Sequence, residues 1–469
     1  MNSFILLCLV LGVIASAFAS NNVYPEPPQT FEANKWTSWE HKNVAGSRRG
    51  KVDVQFNDAN GNPDYIKMIR LDLIGDAHAR GFAHGALLAK EIKEFTGPAM
   101  NAYLRDQARA LDISSLPAPL QKILAPIQKG LIALAPEIFY KAMAWVWENE
   151  QSHITQSLKD EISGIAEGVC SELKGNCDVA EWTKTLQSLN MLPELIRMAC
   201  TAFGAWGPAV SPDYNGNLLQ LRALDFGTGP FPNATIVQTH RKNPNNPDNA
   251  FVSVAFPGFV GSITGVSQHG IGISEKVYMV YGPSSLQPGN YQGNPDVFVL
   301  RQILEYSKTK EDAIAYMQSQ PRTWSMWVGV GDYASQKLNL VAYKEGSLQA
   351  LDDQTMTTLN GQPIIDSIAY VDKHPQPSGE GPNGTLPTAL QDFWGKINPY
   401  TAKQIVQFHQ TGDVHAATYD YGNKEMHVAI GKTNSKGLYC GDPCPDDSVW
   451  KAYNRPWTKF VLEDLWNGV

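Results

Sequence analysis

The sequence predicts an α+β protein in which stacked antiparallel sheets are covered by helices. Three observations carry this. Apolar residues upstream of about Met198 recur with mainly helical spacing. After Cys200 the texture changes to short, strand-like runs separated by turn residues. Helical patterns then fall between those strands, and a strand–strand–helix–strand order fits layers of sheet and helix. The 469 residues are 43% hydrophobic and 18% charged, which is a globular composition with enough chain for a large core or more than one domain. The formal charge of −8 and the absence of a long basic run argue against nucleic acid as a partner.

Taken in order, residues 1–19 read as a secretory signal. Phe4–Ile14 is apolar but too short to span a bilayer, and Ala17-Phe18-Ala19 is a small-x-small cleavage site. The expected location is therefore secreted or lysosomal. Residues 20–64 are polar and rich in Asn, Pro and Gly, an extended segment with a strand at Val52–Phe56, and Tyr65–Leu73 alternates as a strand. Helices are expected over Ala86–Phe95, within Ile123–Trp147, over Ser157–Gly168 with Gly168 as a stop, and over Val179–Met198. Apolar stripes at helical spacing usually mean core, although lipid contact is an alternative for these helices.

Beyond Cys200, strands are expected at Thr235–Thr239, Phe251–Phe256, Ser262–Val266, Gly270–Met279, Met326–Val330, Leu338–Tyr343, His415–Asp420 and Lys424–Ile430. Helices fall at Asp296–Ser307, Lys310–Gln318 and Thr401–Gln410, and Gln354–Pro387 reads as a long loop.

Secretion makes the cysteines informative. Cys170 and Cys177 flank a short loop, as do Cys440 and Cys444, and each pair is close enough for a local disulfide. A zinc site is the weaker alternative because the spacings differ. Cys200 is then left over, either as a reactive thiol or as an inert buried one. Asn233-Ala-Thr235 and Asn383-Gly-Thr385 are glycosylation sequons.

The stretch Ala199–Phe226 organises the rest. Two strands flank Asn215-Gly216, residues that tolerate the positive φ of a tight turn. Cys200 opens the first strand, and Arg222 and Asp225 lie on the second. A straight hairpin about that turn puts Arg222 opposite Ala209, so Gly204–Pro208 has to bulge to return Asp225 to Cys200. A cysteine that becomes a new N-terminus carries its own base, because an α-amine has a pKa of about 7.7–8.0 and is partly unprotonated near neutrality. Asp225 would hold that amine, and Arg222 would stabilise the thiolate or bind substrate. Taken alone, Arg222 and Asp225 read equally well as an ordinary ion pair. No metal-ligand spacing, Gly-x-Ser-x-Gly elbow or phosphate loop occurs, and no cofactor is implied.

Cys200-Thr-Ala-Phe, then Asn-Gly, then Arg222-x-x-Asp225-Phe226 resembles the penicillin acyltransferase-like family of cysteine N-terminal-nucleophile hydrolases. Acid ceramidase, N-acylethanolamine amidase and bile-salt hydrolase are more distant relatives. Further pieces run in the same order: Gly81-Phe-Ala-His-Gly85, Glu161-Ile-Ser-Gly-Ile-Ala-Glu-Gly168, Asn190 with Glu194, Gly265-Val-Ser-Gln-His-Gly270, and Tyr419-Asp420 before Glu425–Gly431. The resemblance implies an αββα sandwich with a helix-rich prosegment over 20–199 and a catalytic chain over 200–469. It makes Cys200 the nucleophile, Ala199–Cys200 the self-cleavage point, and Arg222 and Asp225 its partners.

An oxyanion-binding Asn is expected in a later loop, but Asp372 stands there, and Asn360 aligns only loosely. The expected substrate is a small amphiphilic, non-peptide amide, with an N-acyl lipid amide leading. The cut N-terminal fragment would stay bound, and contact with a membrane surface is a further expected partnership. The competing readings are an acyltransferase or esterase on the same fold, and an inactive secreted glycoprotein. A papain-like protease is a third, but the residues around Cys200 lack its signature.

Overall fold

The computed structural model describes residues 22–58, 61–109, 111–114, 116–196, 199–226, 229–242, 250–277, 290–356, 362–373, 384–433 and 449–469. The signal at 1–19, the Cys440–Cys444 pair, the Asn383 sequon and Asn360 lie outside them.

Two sheets form the centre. The first has seven strands in the order β1 (Thr30–Glu32), β19 (Trp457–Val461), β16 (Glu425–Ile430), β15 (His415–Asp420), β6 (Leu219–Asp225), β5 (Ala199–Ala205) and β14 (Ile368–Val371). The second has ten: β13 (Ser347–Leu351), β12 (Lys337–Lys344), β11 (Met326–Asp332), β10 (Ile271–Val277), β9 (Thr264–Ser267), β8 (Phe251–Ala255), β7 (Ile236–His240), β4 (Pro63–Leu73), β3 (Ser47–Asn57) and β2 (Thr37–Val44). Neighbours are antiparallel except for the parallel pairs β1–β19 and β4–β7. A two-stranded ribbon of β17 (Lys432–Thr433) and β18 (Val449–Trp450) stands beside them.

The sheets lie face to face. Phe203, Leu221 and Tyr419 of the first share a core with Val252, Val266 and Leu340 of the second. Polar ties cross the same interface: Tyr419 Oη donates to the Ile273 carbonyl at 3.0 Å, and Gln220 Nε2 to Ser274 Oγ at 2.8 Å. Helices cover both outer faces. Leu300, Ile303 and Met317 of α7 (Asp296–Tyr306) and α8 (Lys310–Ser319) pack on Ile273 and Val328 of the ten-stranded sheet. Leu386, Ala389, Ala402 and Ile405 of α9 (Thr385–Asp392) and α10 (Pro399–His409) join the core of the seven-stranded sheet with Ala223 and Ala417. The architecture is thus α+β, an αββα sandwich.

A third core joins the upstream helices to one end of the sandwich. It gathers α1 (Ala77–Glu94), α2 (Met100–Ala108), α3 (Ala118–Gln128), α4 (Ala135–Glu150), α5 (Gln156–Glu172) and α6 (Val179–Asn190) around Leu71, Cys200, Leu224 and Phe256. No helix among the described residues is long and apolar enough to cross a membrane. The α1–α5 crossing explains four glycines. A Cβ on Gly81 or Gly85 would stand 2.0 or 2.1 Å from a carbonyl oxygen of α5, and one on Gly164 or Gly168 2.3 or 2.1 Å from one of α1. Gly168 therefore does not stop its helix, which runs to Glu172; it lets two backbones touch. Likewise Gly81–Gly85 lies inside α1 rather than ahead of it.

Other departures have physical causes. The 20–199 stretch is more than a helical prosegment, since β1 enters one sheet and β2–β4 the other. The proposed loop 354–387 contains β14, a fully buried edge strand whose four residues leave too short a pattern to read. Asn215 and Gly216 do take positive φ, of 55° and 73°, but within a longer excursion over 206–218. That excursion lets β5 and β6 pair with Arg222 opposite Ala202, not Ala209. The Cys170–Cys177 disulfide is formed. Asn233 is tied into the fold, its amide donating to Thr433 Oγ1 at 2.6 Å and its carbonyl accepting from Thr433 N at 2.9 Å.

Candidate active site

Cys200 and Arg222 are brought together. Cys200 is opposite Leu224 in the β5–β6 pair, and Ala199 is opposite Asp225. Arg222 Nη2 donates to Cys200 Sγ at 3.0 Å, a charge-assisted contact that favours the thiolate. The same guanidinium donates to the Glu275 carboxylate at 3.2 Å and the Glu275 carbonyl at 3.3 Å. Its Nη1 lies 3.0 Å from His415 Nε2, which Thr264 Oγ1 also approaches at 3.0 Å. Glu275 and Lys276 are on β10 of the other sheet, so the cluster fills the gap between sheets.

Every member is buried. Burial pushes the Cys200 thiol well above the ordinary range, with Arg222 acting against that rise. Burial also raises Glu275, opposed by Arg222 and Lys276, and lowers Lys276 and His415. In the intact chain the thiol is therefore enclosed and held protonated.

Asp225 meets three donors at the strand end: Thr411 Oγ1 at 2.5 Å, Gly412 N at 2.8 Å and Asp413 N at 3.3 Å. Burial raises its pKa, and the Thr411 hydroxyl opposes this. Asp225 is thus fixed level with Ala199, the residue whose carbonyl would be cut. Asp372 follows β14, whose Val371 is level with Ala202, and its Oδ1 lies 3.3 Å from His409 Nε2. The unexpected carboxylate is engaged with a histidine of α10.

Glu275, Lys276 and His415 escaped the sequence reading because a Glu-Lys pair inside a strand looks like an exposed edge. Two expected residues serve as braces over the site. Asn190 holds the 258–261 loop, donating to the Gly258 carbonyl at 3.0 Å and accepting from Val260 N at 2.8 Å. Glu194 accepts from Asp296 N at 2.8 Å and Thr323 Oγ1 at 2.9 Å. Beside the cluster, Phe226, Phe231, Phe256 and Phe259 with Leu192 and Ile263 line an apolar pocket, nearly filled, with about 20 Å³ free. Phe256 stands 6.3 Å, ring to ring, from His415.

One group of possible metal ligands occurs among the described residues: Asp420, Glu425 and His427, within 4.8 Å of one another. Their atoms are already bonded. Asn423 N and Nδ2 each donate to Asp420 at 2.8 Å, Lys459 donates to Glu425 at 3.0 Å, and Lys403 lies 3.1 Å from His427. Two ammonium groups stand where a cation would, so this is not a metal centre.

The site can do thiol chemistry on a carbonyl carbon. In solved structures the chain is similar to an N-acylethanolamine-hydrolyzing acid amidase ortholog from Caenorhabditis elegans, with 14% identity, a TM-score of 0.34, and 48% of this chain matched to 93% of that one. A penicillin V acylase from Agrobacterium tumefaciens matches at 10% identity and TM-score 0.30, over 49% and 83% of the two chains. A conjugated bile acid hydrolase from Clostridium perfringens matches at 12% and 0.30, over 50% and 90%. Over greater length, the chain is 29% identical to protein dcd1A of Dictyostelium discoideum, spanning 87% of each, and 26% identical to dcd1B, spanning 90% of this chain and 79% of that one. No family model matches.

Proposed function

We propose that this protein is a cysteine amidohydrolase that cuts its own Ala199–Cys200 bond and then cleaves an N-acyl lipid amide through a thioester. The observation that carries the reading is Cys200 Sγ at 3.0 Å from a buried Arg222, on the strand whose first residue faces Asp225. In the precursor, Sγ gives its proton to Glu275 Oε2 and attacks the Ala199 carbonyl carbon; the C–N bond breaks, the proton is returned to the Cys200 nitrogen, and the acyl group is carried on sulfur. Water hydrolyses that thioester, releasing an Ala199 carboxylate and a Cys200 α-amine.

The new amine adds a base beside a thiol whose acceptor in the intact chain is Glu275 Oε2 at 3.8 Å, and Asp225, opposite Ala199 in the strand pair, would hold it. In the mature enzyme the amine takes the thiol proton, sulfur attacks the substrate carbonyl, and the proton passes to the leaving amine. Water then ends the cycle. The four-phenylalanine pocket beside the cluster favours an apolar acyl chain, which would have to widen it on entry. The two fragments stay together because the upstream one holds strands in both sheets. The signal-like residues 1–19 support a reaction in the secretory pathway or lysosome.

N-terminal sequencing and intact mass of the purified protein beside Cys200→Ala test this. A fragment beginning Cys-Thr-Ala-Phe in the wild type alone is expected; an uncut wild-type chain, even after acid incubation, would sink the reading. Product analysis with an added amine acceptor separates hydrolysis from acyl transfer.

A further inference from the structure

The far end of the seven-stranded sheet carries a second cluster that the Cys200 chemistry does not use. His415, at the start of β15, pairs with Leu224 beside Cys200, while Asp420 at its other end pairs with Leu219. Five residue steps of strand separate them, about 17 Å. At that far end Lys403 of α10 meets His427 of β16 and Thr30 of β1.

Lys403 Nζ lies 2.6 Å from Thr30 Oγ1 and 3.1 Å from His427 Nδ1. His427 Nε2 lies 3.2 Å from Glu425 Oε2, and Glu425 Oε1 accepts from Lys459 Nζ at 3.0 Å. Burial pulls His427 below its ordinary range, so the ring is neutral near pH 7. A neutral ring facing a carboxylate through Nε2 carries its proton there, which leaves Nδ1 as an acceptor aimed at the lysine. Two of the lysine's N–H bonds are therefore directed, one to Thr30 and one to His427. The third position is taken by no other described side chain or carbonyl, and Lys403 lines an open cleft of about 510 Å³ with His427, Tyr214, Asn398 and Tyr400.

We propose that Lys403 is a second nucleophilic centre, an amine oriented by His427 and Thr30 to condense with small aldehydes or ketones entering this cleft. The arrangement has the parts of an activated nucleophile: the attacking atom, a base within hydrogen-bond reach, and a carboxylate that orients the base. The lone pair on Nζ forms a bond to the carbonyl carbon, and the π electrons move to oxygen. The proton displaced from nitrogen passes to His427 Nδ1, beside the Glu425 carboxylate, and then to the carbinolamine oxygen. The second N–H proton follows by the same route as the C–O bond breaks, so the oxygen leaves as water and the neutral imine remains. No oxidant, reductant or other reactant is needed.

Charge around Lys403 supports this. Its burial under α10, against Trp457, lowers the amine to about 8; Glu425 acts to raise it and Lys459 to lower it further. An unperturbed lysine at about 10.4 holds far less free amine at neutral pH.

The full-length protein would be treated with propionaldehyde and sodium cyanoborohydride at about pH 7.5, and each lysine followed by peptide mass mapping. Lys403 is expected to be alkylated at least about tenfold faster than Lys35 and Lys141, whose side chains are 71% and 65% exposed. Its rate should level off just above pH 8 while theirs still climb. A Lys403 rate at or below theirs would overturn the proposal, and this comparison needs no variant. In Lys403→Arg the fast equivalent of label should vanish; a fast equivalent that survives would equally overturn it.

Discussion

Arg222 holds Cys200 Sγ at 3.0 Å and the Glu275 carboxylate at 3.2 Å with the same nitrogen. The thiol sits on one sheet and the carboxylate on the other, so a single guanidinium joins the halves of the sandwich at that sulfur. Without the arginine, Glu275 would be a buried carboxylate that has lost its closest cation, and the thiol would lose the charge that opposes its burial.

Arg222→Gln is therefore expected to slow self-cleavage and turnover by about 10²–10³, the usual effect of losing one positioned donor. It should also destabilise the fold by about 3–5 kcal/mol, as breaking a buried ion pair does. Adding Glu275→Gln should restore stability without restoring cleavage. Urea melts of the single and double variants, with the cut fraction read by mass, check this. Equal stability losses would show that the pair is not coupled.

The enclosed thiol gives a second expectation. Cys200 has no exposed surface in the intact chain, and burial pushes its thiol up. Asp225→Asn, which removes the carboxylate level with the bond to be cut, should arrest the chain uncut while leaving sulfur in place. Iodoacetamide should then label Cys200 at least about a hundredfold more slowly than in the cut wild type, because only the thiolate reacts. Fast labelling of the uncut variant would mean that the precursor is already open.

Much of this was legible in the sequence, and what was missed has identifiable causes. His415–Asp420 reads as a short strand between turn residues and forms β15, and Cys200, Arg222 and Asp225 stand out through their order along the chain. Glu275 and Lys276 did not, since nothing in a one-dimensional pattern shows that β10 is covered on both faces. The bulge that the hairpin needs to return Asp225 to Cys200 is present as the 206–218 excursion, which leaves Arg222 opposite Ala202 and Asp225 opposite Ala199; its length is what the Asn215-Gly216 signal alone does not show. Gly168 looked like a helix stop because a glycine needed for a close crossing and one needed for a terminus are the same letter.

That crossing makes a third expectation. A Cβ at Gly85 would meet the Ile165 carbonyl oxygen at 2.1 Å, and backbone cannot step aside cheaply. Gly85→Ala should cost about 1–3 kcal/mol or more, the range for overpacking. Gly346→Ala, where nothing lies within 4 Å, should be close to neutral. Thermal melts of both variants decide it, and equal behaviour would deny the crossing its tight contact.

Glu150 supplies the last expectation. It ends α4 wholly buried, both carboxylate oxygens without a hydrogen-bond partner among the described residues. Burial raises it well above the ordinary range, and Glu194 and Asp296 add to the rise. For an acid whose folded pKa exceeds its unfolded one, the stabilising contribution is complete below the unfolded value, near 4.5, and is lost as pH climbs through the folded one. Each unit of difference is worth about 1.4 kcal/mol.

Glu150→Gln removes that loss. It should raise the melting temperature at about pH 7.5 and change it little at about pH 4. His84, held near 3 by burial, destabilises the fold in the opposite direction as pH falls below its ordinary range. It does so in wild type and variant alike, so it cancels when the two are compared at each pH. A gain that is the same at both pH values would show that Glu150 acts through shape and not through its proton.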